Sequence, residues 1–380
     1  MKVEFFVLIL LSLSFQRKSN LLNQKIENIK ECKELVYLPT EENVKIIGRY
    51  YQNNDETWII QSGSALEFYI TGISAEITLV GDSTIYSDIT LRPRFAVYIN
   101  DNLQIDSLMN DLETNIILFQ TEKDTKNKIK VMLLSENKYG GIGIKKITVN
   151  TCTDSKVIEP TEKRDLSIEF VGGSITCAYG VEGKDEYEHF KTSTENFSKS
   201  YAYIAANILN LDYSVVSFSG YGVASGYSDG GKNADELVPL YYKKIGRHDN
   251  YPGEWNFNKY QNDIIFLMVG HNDYNYIMVD PDKRGEEFIQ EYIKFLDLVK
   301  ECNPNSLIIC TIGNINKKNI YRLVEKAVER YGDERVVNFE VPDYERDKYG
   351  SDYHPSEASQ EKIGKSVAEN IKEIINKYFK

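Results

Sequence analysis

Two regimes of hydrophobic patterning divide this chain. Over residues 44–149, short runs rich in β-branched and aromatic residues (57–61, 65–70, 75–80, 94–99 and 129–134) alternate with turn residues. No helical period interrupts them, and Gly, Asn and Asp stand between them. Short strands at near-regular spacing predict an antiparallel sandwich of jelly-roll type over residues 40–152. After Cys152 a polar stretch, 153–164, reads as a linker, and beyond it the period changes. Apolar runs at 166–171, 213–218, 263–269, 306–312 and 335–340 read as strands, separated by amphipathic stretches at 201–209, 285–302, 317–331 and 356–378. This alternation predicts an α/β domain over residues 165–380, with a central parallel sheet covered on both faces. Functional loops in such a sheet gather at the carboxyl ends of the strands. The longest irregular stretch, 221–262, contains Gly222, Gly226, Gly230, Gly231, Pro252, Gly253 and Trp255, and a loop of that length is usually functional.

The amino terminus follows neither regime. Lys2, an apolar run over 5–15 and a polar segment over 16–20 form a pattern too short to cross a bilayer, which needs about 20 apolar residues. Residues 1–20 read as a secretory signal peptide, which implies a soluble, extracellular mature protein. The 380 residues, 42% of them hydrophobic, supply material for two cores. A net charge of -12 argues against nucleic acid or an anionic membrane as partner. The five cysteines (Cys32, Cys152, Cys177, Cys302 and Cys310) show no metal-ligand spacing, so neither a zinc site nor another cofactor is expected. Cys32 and Cys152 flank the first domain and either clasp its ends or stand as buried thiols. Asn196-Phe197-Ser198 is a glycosylation sequon, in keeping with secretion.

The candidate chemistry lies at the predicted strand ends. Phe170-Val171-Gly172-Gly173-Ser174 breaks a strand on two glycines directly before a serine, which presents a hydroxyl as a candidate nucleophile. Such a hydroxyl needs a base. His354 is the best placed of four histidines, since Asp352 is near enough to orient its ring and Pro355 sets the backbone before a helix. His189 and His248 read as exposed loop residues, and His271 as part of the site wall. Acyl transfer places negative charge on an oxygen that must meet prearranged donors. The Ser174 N–H, the Gly222 N–H after the second strand and the Asn272 side chain after the third are the candidates, with Gly220 as the substitute for Gly222. Asp273 reads as a structural hydrogen-bond acceptor.

The blocks Gly172-Gly173-Ser174, Ser219-Gly220-Tyr221-Gly222, Gly270-His271-Asn272-Asp273 and Asp352-Tyr353-His354-Pro355 resemble those of the SGNH hydrolase superfamily, in its usual chain order. Ile47-Gly48-Arg49-Tyr50-Tyr51, Ser62-Gly63-Ser64 and Ile175-Thr176-Cys177-Ala178-Tyr179-Gly180 narrow the resemblance to carbohydrate esterase family 2. That resemblance implies a secreted acetylxylan esterase acting on acetylated xylan and glucomannan, and the protein is expected to work without a metal and as a monomer. It makes Ser174 the nucleophile, His354 the base and Ser174, Gly222 and Asn272 the oxyanion hole. Trp255 and Tyr221, in loops near the expected site, are candidate sugar contacts. Two departures stand out: Gly173 replaces the usual aspartate before the nucleophile, and Ser351 stands where the orienting acid commonly lies. Asp352 then completes a triad, or a backbone carbonyl orients His354 in a dyad. A carbohydrate-binding protein with a degraded site and a lipolytic esterase are the alternative functions.

Overall fold

The structure is a computed structural model that describes residues 31–312, 318–341 and 349–379. The expected signal peptide at 1–20 lies outside the described residues. Ten strands, β1 (Lys33–Tyr37), β2 (Lys45–Ile47), β3 (Tyr50–Asn53), β4 (Glu56–Ile59), β5 (Ala65–Gly81), β6 (Arg94–Ile99), β7 (Asn102–Leu108), β8 (Glu113–Leu133), β9 (Ile142–Thr151) and β10 (Ile158–Pro160), form one antiparallel sheet. Its main path runs β3-β4-β9-β5-β8-β6-β7, with β1 on β9 and both β2 and β10 on β5. The expected runs 65–70 and 75–80 are one strand, because register shifts at Gly72/Ser74 and Ala75/Glu76 bend β5 without breaking it. The charged stretch before the expected run at 129–134 is likewise the middle of β8; its exposed side chains hide the alternation. The curled sheet encloses Phe68, Ile77, Leu79, Val97, Val131 and Ile147.

Beyond it, β11 (Ser167–Gly172), β12 (Asp212–Ser217), β13 (Ile264–Met268), β14 (Leu307–Thr311) and β15 (Val336–Asn338) form an all-parallel sheet in the order β12-β11-β13-β14-β15. Among the described residues seven α-helices accompany it: α1 (Ser174–Cys177), α2 (Tyr201–Leu209), α3 (Val238–Tyr241), α4 (Tyr274–Met278), α5 (Pro281–Cys302), α6 (Lys318–Tyr331) and α7 (Glu357–Tyr378). Strand side chains alternate between two cores. Val171, Ile265, Leu267 and Ile308 pack with α5 and α6, whereas Ile168, Phe170, Phe266 and Ile309 pack with α2 and α7. Ile47, Ala65, Met132 and Leu134 of the antiparallel half join the second core, so the two halves share apolar packing. Among the described residues, no helix is long and apolar enough to cross a membrane.

Buried polar links reinforce the junction. Arg49, fully buried, pairs with Glu169 of β11 at 3.1 Å and donates to the carbonyls of Tyr242 and Lys244. Cys32 and Cys152 form a disulfide that clasps β1 to the end of β9, and Cys177, Cys302 and Cys310 are buried thiols. The sequon expectation fails on burial. Asn196 is 5% exposed and donates its amide to Glu182 at 2.8 Å, leaving no room for a glycan in the folded chain.

Candidate active site

Ser174, Gly220 and Asn272 follow β11, β12 and β13, so all three lie beyond the carboxyl ends of adjacent strands. Gly172 closes β11, and Ser174 opens α1, a single turn that ends on Ala178 in the left-handed region. His354 lies just before α7. Its Nε2 is 2.9 Å from Ser174 Oγ. Its Nδ1 is 3.0 Å from the Asp352 carbonyl and 3.3 Å from the Ser351 carbonyl.

The Asp352 carboxylate takes no part in that contact. Asp352 and Tyr353 both have left-handed φ values, 49° and 61°, and this turn directs the Asp352 side chain away from the ring that its carbonyl faces. The carboxylate instead accepts from the Phe190 N–H at 3.0 Å and the Tyr179 hydroxyl at 3.1 Å, and lies 3.1 Å from His189 Nδ1. Burial opposes its charge, but these groups outweigh it and hold the carboxyl below the usual aspartate range. His189, exposed as expected, therefore has a partner. Tyr179 lies 4.3 Å from the His354 ring and stacks on Phe190, walling one side of the imidazole.

The Ser174 N–H meets no acceptor among the described residues. Asn272 Nδ2 donates one hydrogen to the Tyr221 carbonyl at 2.8 Å and retains a second. A Cβ added to Gly173 would lie 3.3 Å from that nitrogen. The Gly222 N–H, by contrast, is occupied: it donates to the Glu236 carbonyl at 3.0 Å, and Gly222 bridges to Leu237. As the chain is arranged, the expected oxyanion donor at Gly222 already has an acceptor. Gly220, at φ 87°, has an N–H that meets no acceptor among the described residues. Asp273 is buried, as a structural acceptor should be, and receives the N–H groups of Val223, Ala224 and Ser225. Burial raises its carboxyl to about 6 against the pull of those N–H groups.

A recess of about 10 Å³ adjoins Ser174, lined by Gly173, Tyr221, Met268, His271 and Asn272 among others. Its volume is that of roughly one water-sized group. Tyr221 contributes buried wall rather than an open ring face: it packs on Phe218 and Tyr241 and its hydroxyl meets Arg247. Burial lifts that hydroxyl to about 12 even with Arg247 beside it. Trp255 is elsewhere. It stacks on Tyr260 and lines a cavity of about 240 Å³ bounded by Ser167, Asp212 and Asp263, at the amino ends of the strands and away from Ser174. The loop from 221 returns beneath the sheet before β13 begins, which takes Trp255 to the far edge. Tyr353, next to His354 in the chain, is exposed, and so is Tyr187, with the two ring centres 5.9 Å apart. Tyr353 lies inside the Asp-Tyr-His-Pro block, which was its one sequence signal.

A serine hydroxyl on a histidine nitrogen at the carboxyl edge of a five-stranded parallel sheet is the arrangement of an α/β serine hydrolase. Residues 168–367 match the GDSL-like Lipase/Acylhydrolase family, and the chain belongs to it. Among curated proteins, the chain is 29% identical over 227 residues to "Cellulase/esterase CelE" of Acetivibrio thermocellus, a match covering 57% of this chain and 26% of that protein. It is 21% identical over 347 residues to the "Acetylxylan esterase / glucomannan deacetylase" of Cellvibrio japonicus, covering 89% and 90% of the two chains. Solved structures of similar fold include an acetyl xylan esterase from the rumen bacterium Butyrivibrio proteoclasticus (TM-score 0.79, 22% identity, 91% of this chain and 99% of that one). A family two carbohydrate esterase from Clostridium thermocellum in complex with cellohexaose also aligns (TM-score 0.75, 23% identity, 88% and 99%).

Proposed function

We propose that this protein is a secreted, monomeric serine esterase that removes O-acetyl groups from plant cell-wall polysaccharides such as xylan and glucomannan. The observation that carries this reading is the Ser174–His354 contact at 2.9 Å beside a small recess. In the proposed reaction Ser174 Oγ attacks the acetyl carbonyl carbon as its proton passes to His354 Nε2. The oxygen that becomes negative is met by the N–H groups of Ser174 and Gly220 and the free hydrogen of Asn272 Nδ2. His354 then protonates the departing sugar oxygen, and water repeats the sequence on the acetyl-serine. The carbonyls of Asp352 and Ser351 hold the ring with Nδ1 protonated, which makes the site a dyad. Tyr187 and Tyr353 offer ring faces for a sugar chain in place of Trp255 and Tyr221. The division into residues 40–152, read as a jelly roll, and 165–380 belongs to this proposal, with the first half completing one wall of the groove.

Acetate release from acetylated xylan and acetylated glucomannan by wild type and Ser174→Ala tests the reading. Release by wild type that falls at least about a thousandfold in a folded Ser174→Ala supports it. Sugar binding without turnover would mean a binding protein with a degraded site, an outcome opposed by the intact Ser174–His354 contact.

A further inference from the structure

A second cluster of reactive side chains lies beneath the site, unused by the reaction just described. Glu136 follows β8 in the antiparallel half, Glu195 lies in the loop before α2, and Cys177 ends α1. All three are fully buried, and a carboxylate oxygen of each glutamate and Cys177 Sγ lie within 4.8 Å of one another. Each glutamate uses Oε2. Glu195 accepts the Glu136 N–H at 3.0 Å, and Glu136 accepts the Ser219 N–H at 2.9 Å. Each leaves Oε1 buried and without a partner. Two neighbouring carboxylates with both charges intact and two orphaned oxygens would be strongly unfavourable in such surroundings. One proton held on the pair removes a charge and supplies a hydrogen-bond donor among these acceptors.

We propose that Glu136 and Glu195 share a single proton between their carboxyl groups, and that this acid–carboxylate pair positions the oxyanion turn and the start of α1. The inference rests on the esterase reading for what is positioned, but not for the pair itself. Ser219, held by Glu136, immediately precedes Gly220. Cys177 lies 3.9 Å from Glu136 Oε2 and donates to the Gly173 carbonyl at 3.3 Å, next to Ser174. Through these contacts a residue of the antiparallel half fixes two segments that supply oxyanion donors. The groups facing the pair are consistent with one remaining charge. Arg94 donates to the Glu195 carbonyl, Lys138 and Arg247 stand nearby, and Tyr139, Tyr179 and Cys177 are neutral neighbours whose protons burial holds more tightly. Burial likewise raises both glutamates, and the neighbouring Glu136 adds to the rise at Glu195.

The test compares Glu136→Gln, Glu195→Gln, the double glutamine variant and Glu195→Ala. A single glutamine mimics the protonated partner: its carbonyl accepts the backbone N–H and its amide donates to the remaining carboxylate. In the double variant two amide nitrogens face each other. Each single glutamine variant is expected to keep kcat for acetyl ester within about threefold of wild type, while the double variant and Glu195→Ala lose on the order of tenfold or more as the donors shift. The second readout needs no turnover. The folded pair retains a proton that the unfolded chain releases, so stability falls as pH rises above the ordinary glutamate value of 4.5. Wild-type Tm is therefore expected to decline between pH 5 and 8 more steeply than that of either single glutamine variant. A single glutamine variant as inactive as Glu195→Ala, equal Tm slopes, or a stoichiometric metal in the purified protein would overturn the proposal. Failure of the esterase reading alone would leave the Tm result standing.

Discussion

Replacing Asp352 with asparagine separates the two ways in which His354 could be held. In a Ser-His-Asp triad, in which the carboxylate bonds the imidazole, the corresponding replacement costs about four orders of magnitude in kcat. Here the ring meets the Asp352 carbonyl at 3.0 Å, and the substitution leaves that carbonyl in place. The left-handed φ of 49° also suits asparagine, which tolerates this region better than most residues, so no new backbone strain enters. What changes is the far side. The amide oxygen can still accept from Phe190 N–H and Tyr179, but the charge beside His189 is gone. One weakened contact at a partly exposed position is worth about 1 kcal/mol. Even if all of that reached the transition state, the loss in kcat would be no more than about tenfold. Initial rates of acetate release, with kcat and KM resolved, would measure it. Stability supplies a control. Asp352 is held below its ordinary value, so its contribution is present above the unfolded pKa and disappears as pH falls through the lower folded one. Wild type and Asp352→Asn should then converge in Tm in acid. A fall in kcat of a thousandfold or more, with Tm near wild type at neutral pH, would show that the carboxylate reaches the ring in the working enzyme and refute the dyad.

Four further outcomes follow from the same geometry. Gly220→Ala, whose added Cβ meets its nearest atom at 3.8 Å but must adopt φ 87°, should fold with a modest loss of Tm and lose kcat on the order of tenfold or more. Gly222→Ala, whose Cβ would lie 1.9 Å from the Ser225 carbonyl oxygen, should instead show its damage as a large fall in Tm. Lengthening the acyl group from acetyl to butyryl should reduce kcat/KM on activated esters by about a hundredfold, since each methylene exceeds the small recess; equal rates would indicate that the recess does not hold the acyl group. Arg49→Met should cost about 3–5 kcal/mol in denaturant unfolding by leaving Glu169 buried and unpaired, with Glu169→Leu in the same chain recovering much of it.

The five strands and four longest helices of the parallel half were readable, the strands as apolar runs and the helices by the period of one buried face: the run at 201–209 coincides with α2, and the others fall within a few residues of their elements. The charged middle of β8 was not, since exposed residues on both faces leave no alternation to read. The blocks around Ser174, His354 and Asn272 were informative for a related reason. Each marks a main-chain geometry at a strand or helix end, and such geometry is written in adjacent residues. What adjacent residues do not specify is which neighbour claims a given group. Gly220 and Gly222 are alike in sequence, and only the arrival of Glu236 takes the second N–H away. Asp352 is close to His354 along the chain, yet its backbone angles give the ring a carbonyl and give Tyr179, His189 and Phe190 the carboxylate. Trp255 has the surroundings of a sugar platform and stacks on Tyr260 at the other edge of the sheet. Glu136 is the extreme case, an acid in no recognisable motif that reaches the Ser219 turn from the other half of the molecule. On the proposed reading the motif residues define the reaction, while its alignment depends on groups delivered by tertiary packing, among them Glu136 of the antiparallel half.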